Sequence, residues 1–336
     1  MAPPAASLPI ATPALTAPTL AAPTLAAPAL AAPSAISVGI GLGALAFALF
    51  TVMDTMIKWL SAGYPVHQLL FSNALFALVP VMAVSARRGG LARLRTRRLG
   101  LHLLRGLTGM ASGFLAFYAF SRLPLADAYS IIFATPLLIT ALSVPILGEQ
   151  VGWRRWSAVG VGFVGVLIML QPGVAPVGVG SLAALGAAGA SALSILLVRK
   201  LSTTESTASI ALYSNLTVVV GMGALLAFDT VVPSLVDLAL MAASGLIGGT
   251  ALLVLIGAYR RAPAALVAPF QYSQMLWAIV LGFAIFGDLP EQAKLLGAAV
   301  VAASGLFVLY RETTLGRRPT ASLHPGAPAA NGRSQS

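Results

Sequence analysis

Two stretches of the chain, 139 residues apart, align without a gap. AFSRLPLADAYSIIFATPLLITALSVPILGE occupies positions 119–149, and AYRRAPAALVAPFQYSQMLWAIVLGFAIFGD occupies positions 258–288. The alignment places Arg122 on Arg261 and a proline on a proline two residues later, and both stretches end on glycine followed by an acidic residue. Chance similarity between apolar segments is the alternative, but the shared spacing of arginine, proline and glycine favours an internal repeat.

The similarity extends upstream of these two stretches. FSN at Phe71 matches YSN at Tyr213 with a shift of 142, which also aligns Lys58 with Lys200. We therefore divide the chain into a first repeat, 36–171, and a second repeat, 177–311.

Composition indicates that most of this chain faces lipid. Of its 336 residues 58% are hydrophobic and only 9% are charged, against about 25% charged in an ordinary globular domain. The absence of cysteine excludes disulfides and thiolate metal sites, and the three histidines lack metal-ligand spacing. We predict no metal and no other cofactor.

Apolar windows of about 20 residues, the length that crosses a bilayer, recur along both repeats. We predict ten spans, at 37–60, 66–86, 99–121, 124–147, 154–171, 177–198, 206–228, 235–259, 263–287 and 292–310. Each repeat holds five spans, an odd number, so the two copies cross the membrane in opposite directions. The predicted fold class is an all-α integral membrane protein with ten transmembrane helices in two inverted five-helix repeats.

Basic residues are concentrated in alternate connections. They are Arg87, Arg88, Arg93, Arg95, Arg97 and Arg98 after span two, Arg154 and Arg155 after span four, Arg199 and Lys200 after span six, and Arg260 and Arg261 after span eight. By the positive-inside rule, both termini of this multi-pass protein lie in the cytoplasm. The net charge of +11 is then a topology signal, and we predict membrane lipid but no nucleic acid as a partner.

The two ends of the chain differ in composition from the repeats. Residues 1–35 are rich in proline and alanine, with prolines five residues apart, which predicts a disordered tail. Residues 312–336 are rich in Pro, Ser, Gly and Arg, which predicts a disordered cytoplasmic tail.

Several stretches resemble one transporter family. HLLRGLTGMASGFLAFYAFSRLPLADAYSIIFATPLL, from His102, and LGEQVGWRRWSAVGVGFVGVLIMLQPG, from Leu147, resemble the ten-helix EamA type of the drug/metabolite transporter superfamily. APFQYSQMLWAIVLGFAIFGDLP, from Ala268, and MDTMIKWL, from Met53, are similar to the same family, so the resemblance covers about residues 36–311.

The resemblance implies a carrier of small organic solutes in the inner (plasma) membrane, monomeric or weakly associating. It is closest to branches that move S-adenosylmethionine, riboflavin or amino acids. One departure is Asn73 in span two, where family members often carry an arginine; this weakens any inference about an anionic group bound there.

Span four contains candidate solute-binding residues. Tyr129, Phe133 and Pro136 lie near one face by three- and four-residue spacing. Proline removes a backbone donor and frees a carbonyl, which lipid does not tolerate unless it faces protein or a water-filled cavity. The alternative is a kink that only fits the helix to its neighbours.

Span nine is more polar at the corresponding place. Gln271, Gln274 and Trp277 are candidate solute ligands because amide and indole groups in lipid require partners; the alternative is that they bridge helices. Tyr118 and Asn73 are further polar candidates within spans.

Asp54 and Lys58 lie one helical turn apart in span one, a spacing that suits an ion pair. An intramembrane carboxylate predicts a proton or cation site, and the alternative is an interfacial salt bridge. For Arg105 and His102, near one end of span three, we expect contact with lipid headgroups rather than solute.

Two repeated features predict structural roles. Glu149 and Asp288 follow glycine at equivalent span ends, where we expect them to satisfy amides of the next helix. Small residues form packing faces in spans five and ten; they are Gly160, Gly162, Gly165, Gly297 and Gly305. The resemblance implies a homodimer through these helices, and the alternative is packing within one chain.

Taken together, these patterns predict a secondary active transporter for a small-molecule solute, working by alternating access between the inverted repeats. No GxxxxGK[ST] loop occurs, so ATP hydrolysis by this chain is excluded. The alternatives are an intramembrane enzyme, which lacks a convergent set of acid, base or metal ligands, and a channel without active transport. We predict that the chain is not an enzyme.

Overall fold

The computed structural model describes residues 33–87, 96, 98–148, 152–171, 177–202, 204–262 and 264–315, and every regular element in these ranges is a helix. The helices are α1 Pro33–Leu60, α2 Val66–Arg87, α3 Leu99–Arg122, α4 Leu125–Ile132, α5 Thr135–Leu147, α6 Trp153–Leu170, α7 Val179–Leu201, α8 Thr207–Leu225, α9 Leu235–Arg261, α10 Ala264–Val267, α11 Ser273–Phe286 and α12 Gln292–Leu315. A 3-10 segment, Ala268–Tyr272, joins α10 to α11.

These helices form ten rods when α4 with α5, and α10 with α11, are each counted as one. Eight of the rods are long and apolar enough to cross a bilayer, and α8 and α12 contribute shorter apolar stretches, Ser209–Leu225 and Gln292–Phe307. The predicted all-α membrane fold is confirmed, and each predicted span corresponds to one rod.

Tertiary contacts define the two ends of the bundle. Lys58, near the end of α1, donates to the carbonyl of Leu123 after α3 and to the carboxylate of Asp288 after α11. We call this side the Lys58 end. Thr96, before α3, donates to Glu205, before α8, and we call that side the Glu205 end.

The contacts between helices have two-fold character. Helix α1 packs on α9 and α3 packs on α7, while α9 contacts α2 and α3 contacts α8. Exchanging the halves, so that α1 becomes α7 and α6 becomes α12, maps these contacts onto each other. The same exchange leaves the α2–α8 and α6–α12 contacts in place. This pattern supports a duplicated unit; the opposite direction of the two copies in a membrane stays a prediction.

Span four and span nine are interrupted at equivalent positions. The turn between α4 and α5 lies at 133–134, and the change from 3-10 to α-helix lies at 272–273, 139 residues later. Both rods end on a left-handed glycine, Gly148 with φ 69° and Gly287 with φ 72°. Glycine adopts this conformation without steric penalty, which explains its repetition at the two helix ends.

We expected Pro136 to interrupt span four in mid-helix and to free a carbonyl there. The turn instead lies before the proline, at 133–134. Pro136 lies in the first turn of α5, where a missing amide is tolerated. The Thr135 hydroxyl donates to the carbonyl of Ile132 at 2.6 Å, the acceptor that an amide at position 136 would have used. The carbonyl is therefore satisfied by protein.

Glycines bring α6 and α12 into close contact. A methyl group at Gly165 would lie 2.8 Å from the carbonyl oxygen of Gly297, and one at Gly297 would lie 2.6 Å from that of Gly165. Gly162 packs against Leu137, and Gly305 packs against the Tyr272 hydroxyl. These four glycines thus pack within the chain.

The predicted boundary between the repeats falls between α6 and α7, where residues 172–176 lie outside the described ranges. Helix α12 continues to Leu315, past the start of the tail predicted from residue 312. The N-terminal tail to residue 32, the C-terminal residues 316–336 and Glu149 also lie outside the described residues.

Candidate functional site

Three side chains from three helices meet in the bundle interior. Asp54 on α1 is 7% exposed, and its Oδ2 accepts a hydrogen bond from the Tyr129 hydroxyl on α4. Gln274 on α11 completes the set, because its Nε2 donates to the Tyr129 hydroxyl oxygen at 3.4 Å. We call Asp54, Tyr129 and Gln274 the central cluster; it joins both halves of the chain.

The Asp54 carboxylate has no basic partner among the described residues. A buried carboxylate without a cation is unstable as an anion, so the group favours a bound proton or a bound cation. A single phenolic donor holds one of its oxygens, which leaves the other available. The site is therefore suited to binding a proton or the positive part of a solute.

A line of aromatic rings runs beside the central cluster. Ring centroids are 5.6 Å apart for Phe120 and Tyr129, 6.0 Å for Tyr129 and Phe133, and 5.2 Å for Phe133 and Tyr272. The last pair is edge-to-face at 70°, a favoured geometry. Phe133 and Tyr272 lie at the two helix breaks, so side chains from the two breaks are in contact at this point.

A cleft of about 710 Å³ opens at the Lys58 end, within the size range of small-molecule sites. It is lined by Lys58, Trp59, Leu60, Ser61, Ala62, Gly63, Tyr64, Phe120, Ser121, Val231, Asp237 and Phe286. Phe120 belongs to both the cleft wall and the ring line, so the cleft ends one ring away from Tyr129.

The expected ion pair between Asp54 and Lys58 is not formed. The Lys58 ammonium lies 2.8 Å from Oδ2 of Asp288 and 2.8 Å from the carbonyl of Leu123. The side chains are separated because Asp54 turns toward α4 and Lys58 toward the ends of α3 and α11. The expected role of Asp288 in satisfying amides of the next helix is replaced by this ion pair.

Further polar contacts close the Lys58 end. The Tyr64 hydroxyl donates to Oδ2 of Asp237 at 2.7 Å, and Gln68 bonds both the amide and the carbonyl of Val231. The hydrogen bond to the Asp237 carboxylate raises the pKa of the Tyr64 phenol, since its ionisation would place two negative charges together. These contacts tie the α1–α2 connection to the α8–α9 connection.

The other predicted solute ligands lie in different surroundings. Gln271 is half-buried in the 3-10 segment, and Pro136 is half-buried in the first turn of α5. Trp277 is 44% exposed and shares an outward face of α11 with Leu276 and Val280.

Two candidates pack elsewhere in the bundle. Tyr118 packs against the guanidinium of Arg122, 5.3 Å from its ring centroid. The Asn73 amide nitrogen is buried without a hydrogen-bond partner and faces Gly248 of α9. In the described part of the chain, no hydrogen bond or ring contact joins Trp277, Tyr118 or Asn73 to the central cluster.

We expected His102 to contact lipid headgroups, but its side chain is buried in the bundle. It is 1% exposed, its ring centroid lies 4.8 Å from that of Tyr213, and its Nε2 lies 3.5 Å from Glu205. Sequence reasoning also missed the 2.6 Å ion pair between Asp127 and Lys294, for which no local spacing signal exists.

A ten-rod helical bundle with a polar cluster between its halves, and with two broken spans in contact beside it, defines a multi-pass membrane transporter. This class agrees with the relatives of the chain.

The sequence matches the EamA-like transporter family over residues 37–171. It is 30% identical over 279 residues to the S-adenosylmethionine uptake transporter of Rickettsia bellii, covering 82% of this chain and 94% of that protein. It is 31% identical over 280 residues to the riboflavin transporter of Rhizobium johnstonii, covering 82% and 92%. The pseudopaline exporter of Pseudomonas aeruginosa is 27% identical over 270 residues, covering 78% and 93%.

The chain belongs to the EamA-like transporter family, within the drug/metabolite transporter superfamily. It is a small-metabolite transporter and not an enzyme. A solved crystal structure with 23% identity superposes with a TM-score of 0.58 and covers 84% of this chain and 99% of its own, which supports the fold.

Proposed function

We propose that the chain is a secondary active transporter that moves a small organic metabolite by alternating access between two inverted repeats. The observation that carries this proposal is the central cluster, in which a buried carboxylate of the first half is linked through Tyr129 to Gln274 of the second half. Binding at Asp54 would therefore change hydrogen bonds that involve both halves.

In this mechanism Asp54 holds the coupling proton or the cationic part of the solute. Tyr129 connects the protonation or occupancy of Asp54 to Gln274, because its hydroxyl donates to the Asp54 carboxylate and accepts from the Gln274 amide. Rocking of one half against the other exposes the cluster to alternate sides, and the exchange symmetry of the helix contacts supports two equivalent packings.

The proposed solute class rests on the aromatic rings beside the central cluster and on the relatives. Aromatic faces at Tyr129, Phe133 and Tyr272 suit a ring-bearing solute. Relatives named for S-adenosylmethionine uptake and for riboflavin transport make these solutes, together with amino acids, the first to test. Because uptake transporters and an exporter are both among the relatives, transport should be measured in both directions.

The proposed location is the inner (plasma) membrane, with both termini cytoplasmic. The carrier is monomeric or weakly associating. Of the five glycines proposed for a homodimer face, Gly160 has open space around it, so dimer contact through α6 would centre there.

Uptake into proteoliposomes tests the proposal. Purified protein should concentrate S-adenosylmethionine or riboflavin above the outside level when a pH gradient is applied, which a channel cannot do. Asp54→Asn should abolish concentrative uptake while downhill exchange persists, and Asp229→Asn, a change at an exposed carboxylate, should behave as wild type. Concentration of solute by Asp54→Asn under the same gradient would remove the proton role from Asp54.

A further inference from the structure

Arg105, in the second turn of α3, is a half-buried cation that has no partner among the described residues. Its Nε is inaccessible to solvent and makes no hydrogen bond. Across the described ranges, no carboxylate, hydroxyl or carbonyl accepts a hydrogen bond from its guanidinium. A charge that is largely removed from water and has no partner is unfavourable, and a bound anion would relieve that cost.

The guanidinium points toward the middle of the bundle. Helical side chains lean toward the helix N-terminus, and an arginine reaching for headgroups would extend that way, toward the Glu205 end. Instead, a methyl group at Gly109, one turn further into the bundle, would lie 3.5 Å from Nη1 of Arg105 and 3.5 Å from Oγ of Ser194. Ser194 belongs to α7, so the guanidinium lies where the two halves meet.

The outward side of α3 is separate from this position. Leu103, Leu104 and Leu107 are exposed and form that side, whereas Arg105 shares a face with Gly109 and with Ser112, which donates to a carbonyl of α7. The expectation of headgroup contact for Arg105 is therefore not supported by its direction.

The fold itself does not need an arginine here. RGLTG at 105–109 aligns with SGLIG at 244–248 under the 139-residue shift. The first glycine of each stretch packs against the second helix of the other half, α8 in one case and α2 in the other. Ser244, the counterpart of Arg105, is fully buried and donates to the carbonyl of Met241 at 2.8 Å. A small, satisfied side chain thus serves the same packing.

Glu205 and Asp54, two acidic residues of the bundle, contact other side chains. Glu205 accepts from Thr96 at 2.7 Å and lies 3.5 Å from His102, and Asp54 accepts from Tyr129. Since none of the described carboxylates pairs with Arg105, an anion from outside the chain can complete it.

We infer that Arg105 is a binding subsite for the carboxylate of the transported solute, on the part of the pathway nearer the Glu205 end, with Ser194 beside it. The inference rests on the proposed function and narrows it. The planar guanidinium matches a carboxylate through two parallel hydrogen bonds. The substrate class is then a zwitterion or anion that carries a carboxylate, rather than a neutral solute such as riboflavin.

A matched pair of probes tests the inference. S-Adenosylmethionine and its decarboxylated form share the adenosine, the sulfonium and the amine, and they differ in the carboxylate. Wild-type protein should bind the first at least about tenfold more tightly, the size expected for a hydrogen-bonded charge pair. In Arg105→Gln the difference should vanish through weaker binding of S-adenosylmethionine alone, and Arg105→Lys should restore part of it. Arg260→Gln, at an exposed arginine, is the matched control.

Thermal stability separates a ligand site from a structural role. If Arg105 serves solute binding, Arg105→Gln relieves an unpaired charge, and the solute-free protein should melt at or above the wild-type temperature. A lower melting temperature, or equal weakening of both probes, overturns the inference.

A lipid phosphate is the other source of an oxyanion. Measurements in detergent and in nanodiscs containing phosphatidylglycerol distinguish the two: stabilisation of wild type, but not of Arg105→Gln, by the anionic lipid would assign the site to lipid and contradict the inference. Transport of riboflavin without binding of S-adenosylmethionine would overturn the carboxylate assignment and leave the carrier function intact. Failure to concentrate any solute would remove the carrier function itself.

Discussion

The two halves of the chain share their packing but not their polar chemistry. Both end span four or nine on a left-handed glycine and both interrupt it at the same place. Asp54, however, aligns with Leu196 under the 142-residue shift, and Tyr129 aligns with Ala268 under the 139-residue shift. Leu196 is fully buried. Positions that set the backbone and the close contacts are therefore duplicated, whereas the buried acid and its donor occur in one copy.

The largest effect is expected from copying the second half into the first. Asp54→Leu removes the buried carboxylate, and we expect transport to fall at least about 100-fold while the protein still folds, because an apolar side chain suits that position. Initial uptake rates in proteoliposomes measure the change. Leu196→Met, a volume-conserving change at the equivalent buried position, should retain transport; a comparable loss there would mean that both positions act only through packing.

Replacing a glycine at the α6–α12 contact should lower stability by a similar amount in either half. Gly165→Ala and Gly297→Ala each place a methyl group against a backbone carbonyl, and we expect each to lower stability by about 1–3 kcal/mol. Thermal unfolding in detergent is the measurement. Gly160→Ala has open space and should be neutral or slightly stabilising because alanine favours helix. If all three variants behave alike, the close approach of α6 and α12 is absent in solution.

Removing the hydroxyl of Tyr129 and that of Tyr272 in turn tests the difference between the two halves, with a smaller expected effect. Tyr129→Phe removes the donor to Asp54, and we expect transport to drop about tenfold, in line with the loss of a hydrogen bond to a charged group. Tyr272→Phe keeps the ring contact with Phe133 and removes a hydroxyl that makes no hydrogen bond in the described residues, so transport should change less than twofold. The reverse ranking in uptake assays would move the functional tyrosine to the second half.

The smallest effect is expected at the Lys58 end. A double-mutant cycle of Lys58→Ala and Asp288→Asn should give a coupling energy of at most about 1 kcal/mol, because the pair is partly exposed and screened. Unfolding measured at low and high salt reports it, and the coupling should shrink as salt increases. A coupling that is unaffected by salt would contradict an ionic link between the halves.

Periodicity and composition were sufficient to predict the helices, but they did not predict which side chains pair. The ten rods follow from apolar windows, because lipid requires each crossing segment to satisfy its own backbone. The break in span four was marked by Pro136, but the sequence did not indicate that the Thr135 hydroxyl satisfies the Ile132 carbonyl. Such local rescue has no distinct sequence pattern.

Long-range pairs account for the rest of the difference. Helical spacing suggested Asp54 with Lys58, yet Asp54 contacts a residue 75 positions away and Lys58 contacts one 230 positions away. Of the span-nine candidates, Gln274 joins Tyr129, whereas Trp277 lies on the outward face. Helical spacing indicates which residues share a side of a helix, but the orientation of that side depends on the neighbours.

The Lys58 ammonium group links the ends of two helices by contacting the carbonyl after α3 and the carboxylate after α11. Separation of these segments breaks at least one of the two interactions, since the lysine can stay with only one of them. In the proposed alternating-access cycle, opening on this side would break this link at a modest cost, because its ion pair is partly exposed.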